Sequence, residues 1–186
     1  RQRQMCIRDR DTSINEKTWD ILAELDMPVV VLPGNHDTVL LDRDKLGKIP
    51  YRVKVIQERK GERVFLDEVG LSVWGKPVYN HEPGFRPMLG APNRPADCWY
   101  VIIAHGLYMD PPDPLRSSPI SSEEIGEAQC DYVALGHIHV FRDVSHNGGP
   151  AYYSGAPSGS QAKTVVIVDF DPKLGVSVTP IGVVLE

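Results

Sequence analysis

Three cysteines, Cys6, Cys98 and Cys130, are all the thiols in the 186 residues. Their odd number, wide spacing and lack of any C-x-x-C pair exclude a disulfide framework, and the expectation that follows is a reducing, cytoplasmic setting. No apolar run is long enough to cross a bilayer, so no membrane partner is predicted. The N-terminal arginines are followed by no apolar segment of the kind a secretory signal needs. Positive charge is also short: 20 Lys and Arg stand against 25 Asp and Glu, a net charge of −5. That balance gives no global basic field to hold nucleic acid by counterion release. An anionic substrate would need cations supplied locally. Glycine and proline, in contrast, are plentiful at 16 each, which predicts many turns and little helix. The length suffices for one domain with a real core.

The string "RQRQMCIRDR" (1–10) differs from everything after it, with four arginines and no hydrophobic period. It resembles translated sequencing-adaptor read-through, and it is read as a non-native or disordered tail. From Ser13 the pattern is regular. Ser13 and Glu16 form an S-x-x-E capping box, and Ile14, Trp19, Leu22 and Leu25 recur at roughly helical spacing, which predicts a helix from Ile14 to Asp26. "VVVL" after Pro28 reads as a strand buried on both faces. Further strands are predicted at "RVKVI", "RVFL", "GLSVWGK", "WYVIIAHG", "DYVALGH", "VFRDV", "AYYS", "TVVIVDF" and "VSVTPIGVV". A short helix is expected over Ser121–Gln129, with Ser121 and Glu124 as a second capping box. "SHNGGP" reads as a hairpin turn. The Pro-rich "MDPPDPLRSSP" is a loop that reads either as a lid or substrate-shaping wall or as a plain connector. Trp19, Trp74, Trp99 and Tyr132 read as core or interface aromatics.

Four of the six histidines lie within three residues of a glycine where apolar runs end: His36 in "PGNHD", His105 in "IIAHG", and His137 and His139 in "LGHIH"; His105 and His137 adjoin it directly. Strand ends that converge on one sheet edge bring distant residues into a common crevice, and glycine lets the backbone approach a ligand closely. If "GHIH" is extended, positions i and i+2 point to one side, and both imidazoles can meet neighbouring metal ions. Each segment alone is also what a polar turn, a solvent-facing strand or a satisfied strand-end histidine would look like, His105 above all. His81 and His146 fall outside these segments and read as surface-loop residues.

Taken together, G-N-H-D, then H-G after an apolar strand, then G-H-x-H after another, resembles the calcineurin-like metallophosphoesterase superfamily, over about residues 13–160. "DYVALGHIH" with "YYSGAPSG" is most similar to its DNA-repair exonuclease-like branch. The resemblance implies an α/β fold: an α/β/β/α sandwich of two mixed sheets with outer helices and a metal site at one edge. The C-terminal strands would complete the second sheet. It implies two divalent metal ions (Mn, Fe, Zn or Co). Asn35, His105 and His137 would ligate one ion and His139 the other. His36 would act as general acid or transition-state stabiliser, and Asp37 would orient it. The activity implied is hydrolysis of phosphoesters, phosphodiesters above all, by a two-metal-activated hydroxide. The partner is then a phosphoester, with nucleic acid and nucleotides among the candidates. Two ions about 3.5–4 Å apart can clamp the attacking and leaving oxygens of an in-line displacement, and imidazole with amide oxygen suits those metals.

The superfamily pattern opens with D-x-H and a G-D-x-x-D segment upstream of G-N-H-D, and this sequence contains no D-x-H. The expectation is therefore a partial domain over 11–186, missing its N-terminal strand or strands, with an incomplete site and an unpaired sheet edge. Two alternatives remain. One is a non-catalytic scaffold or binding domain on the same fold. The other is a mononuclear zinc hydrolase built on His105, His137 and His139, which leaves G-N-H-D without a role.

Overall fold

The computed structural model describes residues 12–158 and 163–184. The boundary drawn between residues 10 and 11, Cys6, and the last two residues of "YYSGAPSGS" lie outside them. The architecture is mixed α/β with few helices. The first helix, α1 (Thr12–Ala23), ends three residues before the expected Asp26. Its last turn tightens instead, with the N–H groups of Glu24 and Leu25 donating to the carbonyls of Ile21 and Leu22 at 3.3 Å. The capping pair expected of Ser13 and Glu16 falls outside the described side chains.

Strand β1 (Val29–Val31) pairs in parallel with β2 (Val53–Val55). Its three valines explain each other. Val29 and Val31 pack with Trp19, Leu46 and Val53 under α1, whereas Val30 faces the larger sheet. Both faces are covered, which is why no polar residue interrupts the run. Trp19 is buried and donates its indole N–H to the Leu46 carbonyl at 2.6 Å. Among the described residues no strand pairs with the other edge of β1.

The main sheet is six-stranded. It contains β3 (Glu62–Leu66), β4 (Leu71–Gly75) and β5 (Trp99–His105). After the short pair β6 (Leu107–Tyr108) and β7 (Pro119–Ile120) and helix α2 (Ser122–Glu127) come β8 (Tyr132–Gly136), β9 (Phe141–Asp143) and β10 (Ala151–Ser154). The order is β3-β4-β5-β8-β10-β9. The inner four strands, β4, β5, β8 and β10, are mutually parallel, and β3 and β9 close the edges antiparallel. Period-two alternation sorts the side chains. Tyr100, Ile102, Ala104, Val133, Leu135 and Tyr153 join Ile125 of α2 and Ile120 on one face. Val73, Val101 and Tyr132 meet Val30 and the C-terminal hairpin on the other.

That hairpin is β11 (Thr164–Asp171) and β12 (Gly175–Gly182), paired antiparallel. Val168, Phe170, Val176 and Val178 point inward. Trp99 contributes by stacking obliquely on Phe170, ring centroids 5.3 Å apart. The expected continuous second sheet is instead two separate two-stranded pieces, β1-β2 and β11-β12, laid on the same face of the main sheet. The capping box of α2 is formed by both reciprocal bonds between Ser121 and Glu124. "SHNGGP" makes its turn with Asn147 and Gly148 at φ 48° and 82°, the left-handed pair a tight hairpin requires. The segment read as loop at 109–119 ends in strand β7, which pairs in parallel with β6. Cys98 and Cys130 are free thiols. Among the described residues, no helix is long and apolar enough to cross a membrane.

Candidate functional site

Two of the three sequence segments end the neighbouring parallel strands β5 and β8 of the main sheet, where such sheets present their crevices, and the third follows β1 of the small sheet packed on its face. Strand β1 runs out into Pro33, Gly34 and the Asn35–His36 turn. The turn is closed twice: the Asp37 N–H donates to the Gly34 carbonyl at 3.1 Å, and the Asp37 carboxylate accepts from the Gly34 N–H at 3.0 Å. Asn35 is thereby held against the end of β5. Strand β5 ends in His105, whose register partner on β8 is Gly136.

Two glycines seat the His105 ring. A Cβ on Gly34 would lie 2.5 Å from Cε1 of that ring and 2.6 Å from Nδ1; one on Gly136 would lie 3.0 Å from Nδ1. The first is closer than a Cβ tolerates, so glycine at 34 is a steric requirement of the ring; the second is a tight contact that a shift of a few tenths of an ångström would relieve. Seated there, His105 Nε2 lies 2.8 Å from the Asn35 Oδ1. The His137 ring stands edge-on to it, centroids 5.2 Å apart. His137 is reached through backbone strain: β8 stops at Gly136, and His137 sits at φ 99°, a region that favours glycine. The chain therefore bends at G-H-I-H. The extended i, i+2 arrangement expected for His137 and His139 does not form; His139 lies exposed on the bend.

Electrostatics confirm the crowding of imidazoles. Burial, then the neighbouring His137, pulls the His105 pKa down to about 4, and Asp37 partly opposes them. Burial also lowers His137, followed by His81, His139 and His36. A histidine held neutral at pH 7 keeps a lone pair available to a cation. His36 is exposed at the tip of its turn, and no hydrogen bond joins it to Asp37 among the described residues; the Asp37 carboxylate is bonded to Gly34 instead. The orienting role expected of Asp37 toward His36 has no bond to carry it, and Asp37 acts by shaping the turn.

Asn35, His105 and His137 share a cavity of about 220 Å³ with His81, Leu107 and the run Arg116–Ser118. His81 was legible only as a surface-loop residue. It is exposed, yet it lines this cavity. Its only sequence signal was its histidine type, because nothing around it has motif form. The Pro-rich segment supplies Arg116, Ser117 and Ser118 to the same wall. A larger cavity of about 480 Å³, lined by Trp19, Ala23, Ile49 and Pro50 among others, holds none of the candidate residues.

Whether these donors suit a cation can be tested on their chemistry. Asn35 Oδ1 and His105 Nε2 lie 2.8 Å apart as a hydrogen-bonded pair, a spacing close to the roughly 3 Å between adjacent ligands of an octahedral ion at about 2.1 Å, so an ion would replace the proton between them. Two neutral imidazoles and an amide oxygen suit a borderline divalent ion. Asn35, His105 and His137 are the side chains that could hold one ion; among the described residues no carboxylate lines the cavity to bridge a second, and no group of three or more His, Cys, Asp or Glu side chains is gathered there.

No model of a known protein family matches the chain, and no curated protein matches it significantly.

Proposed function

We propose that this chain carries the second-metal half of a metal-dependent phosphoesterase site of the calcineurin-like type, acting on phosphodiesters above all. The observation that supports it is the 2.8 Å approach of Asn35 Oδ1 to His105 Nε2 from 70 residues away, with His137 beside them. Asn35, His105 and His137 would hold one divalent ion. When bound, that ion supplies Lewis acidity and neutralises phosphate charge in a protein of net charge −5. The protein's own groups have separate tasks. Gly34 and Gly136 fix the His105 ring, Asp37 fixes the turn, and His36 is presented at the tip, free to donate a proton to a departing oxygen. His139 is left for the other ion, whose carboxylate ligands would come from D-x-H and G-D-x-x-D segments. The proposed fold is the α/β/β/α sandwich of that superfamily, a reading supported by α1 packed over β1-β2 and by α2 packed on the outer face of the six-stranded sheet.

The test joins this chain to an upstream D-x-H and G-D-x-x-D segment and assays it with Mn²⁺ on a chromogenic phosphodiester and on linear DNA. Turnover that Asn35→Ala and His105→Ala abolish supports the reading. No turnover on any phosphoester defeats it.

A second reading has its own observation. A bare hydrogen bond between Asn35 and His105, with no cluster of metal-ligating side chains among the described residues, is what a non-catalytic scaffold on the same architecture would show. Metal content by mass spectrometry of that joined protein separates the two: absence of a transition metal favours the scaffold.

A further inference from the structure

The 220 Å³ cavity has a second wall that the candidate metal donors do not use. His81 comes from the loop after β4, and Arg116, Ser117 and Ser118 come from the connection between β6 and β7. These two loops are fastened to each other and to the strand that follows His105. The Ser118 N–H donates to the Phe85 carbonyl at 3.0 Å, and the Leu107 N–H donates to the Ser118 carbonyl at 2.9 Å. Ser118 is held at φ 56°, a left-handed conformation that turns the chain at the cavity rim. Arg116 is presented from a turn in which its N–H donates to the Asp113 carbonyl at 3.1 Å and the Asp113 carboxylate accepts from Leu115 at 2.9 Å. Among the described residues its one ion pair is a long, exposed one to Asp113 at 3.8 Å, worth little in water.

Composition and size then select the ligand. The protein is acidic overall, yet among the described residues no carboxylate lines this cavity. The lining holds one permanent cation, three imidazoles, two hydroxyls and an amide, with Leu107 as its one apolar side chain. Such a wall repels no anion and offers donors from several directions. The volume is below the roughly 300–1,000 Å³ of pockets that enclose whole drug-sized molecules. It admits a tetrahedral anion with room to spare, but it is too small to enclose a whole nucleotide-sized ester.

We infer that the cavity seats the phosphoryl group of its ester end-on, with Arg116 and His81 binding the phosphoryl oxygens and the organic arm left in solvent. This rests on the phosphoesterase reading above. It adds a substrate class: esters recognised at the phosphate, with no pocket for a base or other large substituent. Arg116 and His81 become the specificity-determining residues.

Calorimetry with inorganic phosphate on this chain, in chelator and again with Mn²⁺, tests it. Phosphate is expected to bind, and Arg116→Ala is expected to weaken it by about 10- to 100-fold, the worth of a charge-assisted contact. Arg116→Lys recovers part of the loss and guards against misfolding, and His81→Asn loses less than Arg116→Ala. Lys48→Ala, on the separate cavity beside α1, leaves affinity unchanged. A nucleoside monophosphate should bind within about threefold of inorganic phosphate, since its arm finds no pocket. The inference is overturned if phosphate does not bind in either condition, if Arg116→Ala and His81→Asn bind it as tightly as the parent, or if the nucleotide binds more than about 30-fold tighter. Arg116-dependent phosphate binding in chelator, with no Mn²⁺ taken up, would sink the metal-dependent function while leaving this anion site standing.

Discussion

The amide oxygen of Asn35 lies 2.8 Å from Nε2 of His105, across 70 residues of sequence. Neither local propensity nor a shared loop brings them together. The approach depends on the chain after β1 meeting the end of β5 and on two glycines leaving room for the imidazole between them.

Gly34→Ala should break that approach. The new Cβ would meet three atoms of the His105 ring at 2.5–2.9 Å, so the ring or the turn must move. Overpacking of this kind costs about 1–3 kcal/mol. Urea unfolding should show a loss of that size, and the imidazole nitrogen shifts of His105 in ¹⁵N NMR should change. Unchanged shifts would mean that the turn relaxes and the ring seat is not tight.

His137→Gly should separate stability from binding. At φ 99° the histidine backbone is strained, and such residues cost about 1–3 kcal/mol. Glycine removes the strain and gives back roughly 0.5–1 kcal/mol through unfolded-chain entropy. The variant should melt no lower than the parent while its affinity for Mn²⁺ falls. A clearly lower melting temperature would show that the ring's packing outweighs the strain.

Tyr153→Phe should loosen the segment after His105. The fully buried Tyr153 hydroxyl accepts from the Tyr108 N–H at 2.7 Å and donates to the Gly106 carbonyl at 2.8 Å. Removing it leaves a buried donor without a partner, at a cost of about 1–3 kcal/mol. Denaturant unfolding should register that loss, and amide exchange at Leu107 and Tyr108 should quicken. Exchange rates equal to those of the parent would show that β6 is held without Tyr153.

Acid should destabilise the metal-free protein through His105. Its folded pKa of about 4 lies below the ordinary 6.5, chiefly because of burial. Between those values the unfolded chain binds a proton that the folded chain does not, so stability rises with pH across the window. The contribution is fully present above about pH 6.5 and is lost as pH falls through about 4, at most ~3 kcal/mol. His137 shifts in the same direction. In chelator, the fall in urea midpoint between pH 7 and pH 4 should be smaller for His105→Gln than for the parent. An equal fall would show that the ring is not held neutral.

The strands were legible because their covering is written in them. Val29–Val31 and Trp99–His105 are apolar on both faces, and the structure covers both faces of each. Ser121 with Glu124 announced a helix start, and Asn147-Gly148 announced a hairpin, since both are local chemistry. Asn35, His105 and His137 were legible as one site only through their joint order. The bend at G-H-I-H was hidden, because nothing in the residue types shows that a histidine will take φ 99°. His81 and Arg116 were hidden for another reason: they reach the cavity through tertiary hydrogen bonds such as Ser118 to Phe85, and no sequence spacing encodes those. The division of the second layer into two small sheets likewise depends on pairing partners far along the chain.

The most direct test of the central claim is a calorimetric titration of this chain with Mn²⁺ beside Asn35→Ala, His105→Ala and His139→Ala. One ion per chain is predicted, bound more than about 100-fold more weakly after either of the first two substitutions and nearly unchanged after the third. No heat of binding in the parent, or equal affinity in all four proteins, would contradict it.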